Sequence, residues 1–592
     1  MEAQSRLSSA DPAGTNLSDT LTISNKPFSV KLTDKLFSWW YKTKQPFSDK
    51  QTKTWACKNR VLVEEILAVE YVEKTAETKN GDIEMVSVNA TAFRIHIIKR
   101  APKHIWRTKS VEIYCSSSAQ CALWVDSIRS LLDKYTNRPK SLLVFINPYG
   151  GRKKARKVFD EKVASIFDLA GITSHVIITE RANHAKDYIM SRDLSRYDGI
   201  VCVGGDGMFA ELLNGILWQY NSSLGIDLHD STALLKRPDI RIGVIPAGST
   251  DTVAYCTSGI NDAITSALHI VVGDSMAIDV CSVRHGYSGQ LLRFCVSMLA
   301  YGFYGDVLRD SETFRWMGPN RYNYSGFRTF LKNKSYQADI SYLPSQALQT
   351  DHHPLQDGSR CYTGCSICKS ASLLDLNGSI DYDGSISPAL PDDNVDALSS
   401  LTASLTNVSL VSRQISTLSN VSPDSWTTVS GKYIGINALT ISCRCATVPE
   451  GVSPACHLGD GSADLVMVHE ASRLDYFRHL LRIQAKTSSQ FDFNFVKVVR
   501  AKAFKVRVPS AVDPIASSAA QTASSFQRLD EPRNLMPVAL STWNCDGEII
   551  EEPNIDVRVH CQLVKLFARG IEESYTKLDQ CTSTCISCAE ET

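Results

Sequence analysis

The stretch that decides the fold runs from Gly199 to Gly215, GIVCVGGDGMFAELLNG: a short apolar run, a glycine turn carrying one carboxylate, then apolar residues at helical spacing. An unbroken apolar run fits a strand buried on both faces of a parallel sheet. The glycines let the chain turn sharply and let a ligand approach the backbone. The same pattern repeats on either side. Upstream, the apolar Ser141–Ile146 leads into Asn147-Pro148-Tyr149-Gly150-Gly151-Arg152-Lys153-Lys154, a helical Ala155–Ala170 and a strand at Ser174–Ile178. Downstream, Arg241–Ile245 leads into Pro246-Ala247-Gly248-Ser249-Thr250-Asp251. Alternating strands and helices predict a doubly wound α/β domain over residues 138–276, with its ligand at the carboxyl ends of the strands. One such loop alone is more often an ordinary turn. Three on successive units point to a phosphate chain held by backbone N–H groups, with basic side chains beside it. The chain has no G-x-x-x-x-G-K-[ST] and no H-R-D or D-F-G set, which excludes the P-loop and protein-kinase scaffolds.

The flanks have a different texture. Residues 26–137 show short β-type runs at Val61–Val72, Ala92–Ile98 and Val111–Cys115, closed by a helix with Cys121, Trp124, Ile128 and Leu131 on one face. Strands closed by one such helix resemble a pleckstrin-homology module. Residues 1–25 are polar and aperiodic and read as a disordered tail. Over residues 277–573 β-type runs dominate: Leu291–Ala300, Tyr433–Ser442, Leu465–Val468, Phe495–Val499 and Val557–Phe567. They predict a β-sandwich-like domain with mobile insertions near 370–424 and 510–536, followed by a Cys-containing tail at 574–592. The fold class is therefore α/β plus mostly β.

Composition narrows the partners. A chain of 592 residues, 43% of them hydrophobic, is too long for one core. Lys plus Arg and Asp plus Glu balance at 63 each, which excludes the global basic field of a nucleic-acid binder. The N-terminus lacks a signal-peptide pattern and no run of apolar residues is long enough to span a bilayer, so the expected location is cytoplasmic with peripheral membrane association. Any membrane attraction must be local. Lys99, Arg100, Lys103, His104, Arg107 and Lys109 around Trp106 are one candidate patch. Residues 473–486 are another, with Leu474, Phe477, Leu480 and Leu481 interleaved with Arg473, Arg478, Arg482 and Lys486. A basic amphipathic helix suits calmodulin or an anionic membrane, and the plainer reading is a helix packed on the β domain.

Asn-Pro-x-Gly-Gly, Gly-Gly-Asp-Gly-x-x-x-Glu and Pro-Ala-Gly-Ser, in this order, resemble the catalytic domain shared by diacylglycerol, sphingosine and ceramide kinases. Thr179-Glu180-Arg181-Ala182-Asn183-His184-Ala185 and Tyr301-Gly302-Phe303-Tyr304-Gly305-Asp306 resemble the sphingolipid branch. Pro246-Ala247-Gly248-Ser249-Thr250-Asp251, Cys361-x3-Cys365-x2-Cys368, His457-Leu458-Gly459-Asp460-Gly461, Trp543-Asn544-Cys545-Asp546-Gly547-Glu548 and Val559-His560-Cys561-Gln562-Leu563-Val564 are similar to the ceramide-kinase branch. The resemblance implies an ATP- and Mg2+-dependent lipid kinase acting on ceramide. Asp206 would be the general base, and Gly204, Gly205, Asp206 and Gly207 would contact the acceptor. Asn147, Pro148, Tyr149, Thr179, Glu180, Arg181, Ala182, Asn183, Glu211, Gly248, Ser249 and Thr250 would line the nucleotide. Arg315 and Arg321 would clamp phosphate, and Asp546, Gly547 and Glu548 would return to the nucleotide and its ion. Asp279 and Asp306, carboxylates in otherwise apolar segments that flank Leu291–Ala300, read either as turn caps or as groups that hold the amide and hydroxyls of the sphingoid head. The resemblance also implies a Ca2+ response through calmodulin. The alternatives are a sphingosine or diacylglycerol kinase on the same scaffold, or a catalytically inactive lipid-binding recruitment protein.

Eighteen cysteines without a secretory signal read as reduced thiols or metal ligands. Cys361, Cys365 and Cys368 have the spacing C-x3-C-x2-C, and so do Cys581, Cys585 and Cys588. For the first trio the readings are a Zn2+ clip, with Cys443 or Cys445 as fourth ligand, or free thiols. The second trio reads as surface thiols or a lipid-attachment site.

Overall fold

Alternating apolar residues near the N-terminus pair as strands in the computed structural model, which describes residues 15–41, 59–72, 76–77, 83–84, 90–151, 153–318, 320–345, 360–377, 426–484, 489–509 and 540–573. Strands β1 (Asn16–Ile23), β2 (Lys26–Thr33), β3 (Leu36–Tyr41), β4 (Arg60–Leu62) and β5 (Ile66–Tyr71) precede a two-residue-strand hairpin, β6 (Ala76–Glu77) and β7 (Ile83–Glu84); β8 (Ala92–Ala101) and β9 (Ile105–Tyr114) follow. Their antiparallel sheet has the order β4-β3-β2-β1-β9-β8-β5. Helix α1 (Ser118–Asp133) closes it with Cys121, Trp124, Val125, Ile128 and Leu131 buried. Ser117 caps the helix by accepting the Gln120 N–H, and the Trp124 indole donates to Asp19 at 2.8 Å. The expected disordered tail of residues 1–25 is too long. β1 pairs with β2 from Asn16↔Thr33 to Ile23↔Lys26, burying Leu21 and Ile23, and its polar outward face is what hid it in the sequence.

In the α/β half, β10 (Ser141–Ile146), β11 (Thr173–Ile178), β12 (Gly199–Gly204) and β13 (Arg241–Pro246) are parallel in the order β11-β10-β12-β13. Successive residues face opposite sides of a strand. Leu142, Val144, Ile146, Val201 and Val203 therefore share one core with residues of α2 (Ala155–Val158), a π turn (Phe159–Val163) and α3 (Ala164–Leu169). Leu143, Phe145, Ile200 and Cys202 share the other with α4 (His184–Met190) and α5 (Asp206–Ser223). Helices α6 (Thr252–Ser258) and α7 (Ala263–Val272) complete the half, α7 packing on the first face. The chain reverses its direction of travel between β10 and β12, and the first two glycine loops leave the sheet there.

The remaining elements are β14 (Ser275–His285), β15 (Leu291–Cys295), β16 (Met298–Gly302), α8 (Phe303–Glu312), α9 (Asn320–Lys332), β17 (Tyr336–Pro344), α10 (Ser366–Asn377), β18 (Thr427–Leu439), β19 (Ala463–His469), α11 (Arg473–Gln484), β20 (Val496–Arg507), β21 (Trp543–Cys545), β22 (Glu548–Ile550) and β23 (Ile555–Phe567). The strands enclose a third core that includes Tyr301, Tyr336, Ile436, Leu465, Phe504 and Trp543. They do not form a separate sheet, because β23 pairs in parallel with β13 and antiparallel with β14 and β20. β14 also crosses the expected boundary at residue 276. The expected strand Leu291–Ala300 is broken into β15 and β16 by a turn at Val296 and Ser297. Helix α10 occupies the start of the expected insertion at 370–424; the rest of that insertion, 510–536 and 574–592 lie outside the described residues.

The basic cluster around Trp106 is not a free membrane patch. Trp106 is 1% exposed, and its ring lies 4.1 Å from that of His269 on α7. Its N–H groups donate to Thr265 and Glu572. Arg100 sits over the indole and pairs with Glu65 at 2.6 Å and Glu572 at 2.8 Å, while Arg107 pairs with Asp262 at 2.6 Å. Arg569 joins from the C-terminal side, pairing with Glu64, Glu65 and Asp274. Burial alone would raise the Glu572 carboxyl; the Arg100 hydrogen bonds and charge outweigh it and hold the group below its ordinary value. The acidic partners are remote in sequence, so a count of local charge mistook an interface for a solvent patch. Lys99, Lys103 and Lys109 remain exposed. Trp106→Ala is expected to destabilise the whole chain by about 3–5 kcal/mol in urea unfolding; a loss confined to an early, separate N-terminal transition would contradict the interface.

Candidate functional site

A cleft of about 1190 Å3 opens where the glycine loops meet. The loops touch backbone to backbone. A Cβ on Gly248 would lie 2.5 Å from Gly205 Cα, and one on Gly151, at φ +55°, would lie 2.9 Å from Gly248. Only glycine permits that approach, which gathers three strand ends into one wall.

Carboxylates fix the loops to one another. Asp206 opens α5, and its two oxygens accept the Thr252 and Val253 N–H groups at 3.0 and 3.1 Å, tying the second loop to the third. Glu211, further along α5, accepts the Ala185 and Lys186 N–H groups at 2.7 and 3.3 Å and so holds the start of α4 and the 179–183 loop. Asp251 folds the third loop on itself by accepting the Gly248 N–H at 2.8 Å and the Asn261 amide at 2.7 Å. Burial drives the Asp206 carboxyl up to about 6; its two backbone donors oppose the rise, and the charges of Asp251 and Asp546 add to it. That places a proton acceptor within the range useful at neutral pH.

Most of the expected site residues line this cleft: Asn147, Tyr149, Thr179, Glu180, Arg181, Ala182, Gly205, Asp206, Gly207, Glu211, Gly248, Ser249, Thr250, Arg315, Asp546, Gly547 and Glu548. Asn147 shapes the first loop by accepting the Tyr149 and Gly150 N–H groups. Pro148, Asn183 and Gly204 belong to the same loops without lining the cleft. Arg321 does not line the cleft; it and Arg315 converge on Glu312, which pairs with Arg315 Nε at 2.6 Å and with Arg321 at 3.3 Å. Asp546 is engaged by the β15–β16 turn. Its Oδ1 accepts from Ser297 N, Ser297 Oγ, Met298 N and the Cys295 thiol, and its Oδ2 accepts from Val296 N. Only Oδ2 keeps an acceptor site for an ion. Glu548 pairs with Arg293.

Asp279 and Asp306 are not in the cleft. Asp279 is fully buried and accepts the Gly461 and Gln562 N–H groups at 2.6 and 2.7 Å. Asp306 accepts from Ser541, Arg309 and the Tyr336 hydroxyl. Their acceptor capacity goes to other groups of the protein, most of them distant in sequence, which argues against a role on a lipid head.

What the sequence reading missed is an apolar continuation of the same cleft. Phe303, Tyr304 and Val307 of α8, Phe327 and Phe330 of α9, and Phe477, Leu480 and Leu481 of α11 line it. Tyr476 and His479 bury the opposite side of α11, so this helix does pack on the β domain. Its other face stays open, with Phe477 45% and Leu481 53% exposed, opposite Phe327 at 60%. The signal was in the sequence as two amphipathic helices, but nothing in it paired them.

The first cysteine trio gathers beside His457, not beside Cys443 or Cys445. Cys443 is buried against Ser297, and Cys445 meets Thr447. Topology, not spacing, chose the fourth member.

Three family profiles match: Ceramide kinase PH domain over residues 17–128, Diacylglycerol kinase catalytic domain over 141–283 and Ceramide kinase C-terminal domain over 390–588. Ceramide kinase of Homo sapiens is 42% identical over 516 residues, covering 87% of this chain and 89% of that protein. The chain belongs to the ceramide kinase family. Ceramide kinase of Mus musculus is equally similar, at 42% with 87% and 90% covered. Sphingosine kinase 1 of Arabidopsis thaliana is 35% identical over only 43% of this chain and 48% of its own length. Membership of the ceramide kinase family thus rests on the N- and C-terminal parts as well as the shared catalytic loops. For this ceramide kinase family member, Asp206→Asn is expected to lower turnover roughly 10²–10⁴-fold while nucleotide binding persists. The carboxylate form prevails only above its folded value of about 6, so the rate constant kcat/KM should fall as pH drops below about 6. A pH profile flat through that range would remove Asp206 from the base role.

Proposed function

We propose that the chain transfers the γ-phosphoryl group of ATP to the primary hydroxyl of ceramide at a membrane surface. The observation that carries this reading is the single cleft that joins the glycine loops to an apolar groove, with Asp206 in its wall. A nucleotide suits the first half and a two-chain lipid the second. The loop backbones and Asn147, Tyr149, Thr179, Glu180, Arg181, Ala182, Ser249 and Thr250 orient ATP. Asp546 Oδ2 and Glu548, the latter in competition with Arg293, would hold the Mg2+ that accompanies ATP, which would supply neutralisation of phosphate charge. Asp206 takes the proton as the lipid oxygen forms its bond to the γ-phosphorus, the bond to the β-phosphate oxygen breaks, and ADP leaves. Arg315 and Arg321 reach phosphate by exchanging Glu312 for it, a substitution suited to guanidinium, which keeps its charge throughout.

The lipid part of the reading moves from Asp279 and Asp306 to the groove of α8, α9 and α11. Ceramide is apolar along most of its length, and burial of its chains against Phe327, Phe330, Leu480 and Leu481 supplies binding at about 25 cal/mol per Å2. No helix among the described residues is long and apolar enough to cross a membrane. Contact with a bilayer then falls to surfaces, and Trp316, 81% exposed and next in the chain to Arg315, is suited to the interfacial region. The exposed Leu474, Phe477 and Leu481 of α11 with Arg473 and Arg478 also suit Ca2+–calmodulin, which would compete with the bilayer for one helix face.

The deciding experiment offers ceramide, sphingosine and diacylglycerol in the same mixed micelles with radiolabelled ATP. Ceramide is expected to take up most of the label; preferential labelling of either competitor overturns the assignment, and labelling of none returns the chain to a recruitment role. Within the same assay, Phe327→Asp and Leu481→Asp should each raise the KM for ceramide at least severalfold and leave the KM for ATP near its normal value. Equal effects on both would mean that the groove does not hold lipid.

A further inference from the structure

The cysteine trio and His457 lie apart from the cleft, and none of the four lines it. Cys361 precedes α10, Cys365 stands just before its first residue and Cys368 falls in its first turn, while His457 comes from the loop between β18 and β19. The Cys361 and Cys368 sulfurs are 3.7 Å apart, the Cys365 sulfur is 3.3 Å from His457 Nδ1, and all four atoms lie within 4.8 Å of one another. Zinc bonds of about 2.3 Å to sulfur and 2.0 Å to nitrogen require tetrahedron edges of about 3.4–3.8 Å. These two edges match, and the other four lie within 4.8 Å.

Backbone N–H groups face two of the ligand sulfurs. The Leu458 N–H points at the Cys361 sulfur at 3.5 Å, and the Gly459 N–H donates to Cys368. His457 is 1% exposed, so its ring is held among protein groups and not left to solvent. Gln562 on β23 then ties both sides together, donating from one amide to Cys368 O at 2.8 Å and Gly459 O at 2.9 Å.

We propose that Cys361, Cys365, Cys368 and His457 form a tetrahedral structural zinc site. It clips α10, the first element after the undescribed stretch at 346–359, to the 457–461 loop and through Gln562 to β23. Asp279 belongs to the same joint, because the two N–H groups it accepts are those of Gly461 and Gln562. The clip fixes a segment that neither the sheet ladders nor a buried helix face would hold, so metal binding energy there is folding energy.

The test measures metal in the full-length protein, purified under reducing conditions without chelator. Elemental analysis should find one zinc per chain, and replacement by Co2+ should give the intense visible d–d bands of a tetrahedral ion with a thiolate charge-transfer band. His457→Cys should keep the zinc as a four-thiolate site, His457→Ala should lose most of it, and Cys445→Ala should keep all of it. Folded, active wild-type protein that carries no zinc and takes up no Co2+ overturns the site. So does a Cys361–Cys368 disulfide found by peptide mapping of the native protein, or full zinc retention by His457→Ala. Since the wild-type measurements stand alone, misfolding of a variant leaves the outcome decided.

Discussion

The structure depends on one strand pairing: the last described strand of the chain, β23, lies between the parallel sheet and the antiparallel one. It meets β13 at Arg241↔Lys565 and Ile242↔Leu566, β14 from Ser275↔Phe567 onward, and β20 at Ala503↔Arg558. Phe567 anchors the junction. Its ring fills the space that a side chain at Gly199 would need, at 2.3 Å from the nearest ring carbon, and the Arg241 guanidinium sits over it at 4.2 Å. A strand from the end of the chain that borders a sheet begun hundreds of residues earlier is a contact of high sequence separation. Such a contact closes a long loop, and its entropic cost must be met by the pairing and packing it brings.

Carboxylates do the corresponding work around the cleft. Asp206, Glu211, Asp251, Asp546, Asp279 and Asp306 each accept hydrogen bonds from a segment other than their own or from a loop that needs closing. A hydrogen bond to a charged group contributes about 1.5–3 kcal/mol, so these contacts hold their segments firmly. They also separate positioning residues from reacting ones. Asp279, Asp306 and Oδ1 of Asp546 are committed to the protein, whereas Asp206 has two backbone donors and still faces the cleft.

Legibility in the sequence followed locality. The loops after β10, β12 and β13 could be read because glycine, carboxylate and apolar run sit within a few residues of each other, and the α1 face could be read from its own period. The groove could not, since α9 and α11 are brought together only by the strands between them. Trp106 was misassigned for the same reason: Arg100 and Arg107 lie beside it in sequence, but Glu572, Asp262 and His269 do not. Leu291–Ala300 looked like one strand because its composition is uniform, and the carboxylate that breaks it, Asp546, comes from another segment. Spacing gave three cysteines and the fold supplied a histidine.

The buried interface around Trp106 also changes how the N-terminal module can act. A module on a flexible tether adds effective concentration and leaves the catalytic half free to tumble. Here Arg100, Arg107 and Arg569 cross-link the module to α7 and to the chain after β23, and burial shields the Arg100 and Arg569 pairs from salt. The module and the cleft therefore move as one body. Any bilayer contact made by the module fixes the height and tilt of the groove mouth, where Phe327 stands exposed. A lipid with almost no aqueous concentration must enter from the bilayer side, and a fixed orientation lets weak contacts at two places act together without a separate ordering cost for each.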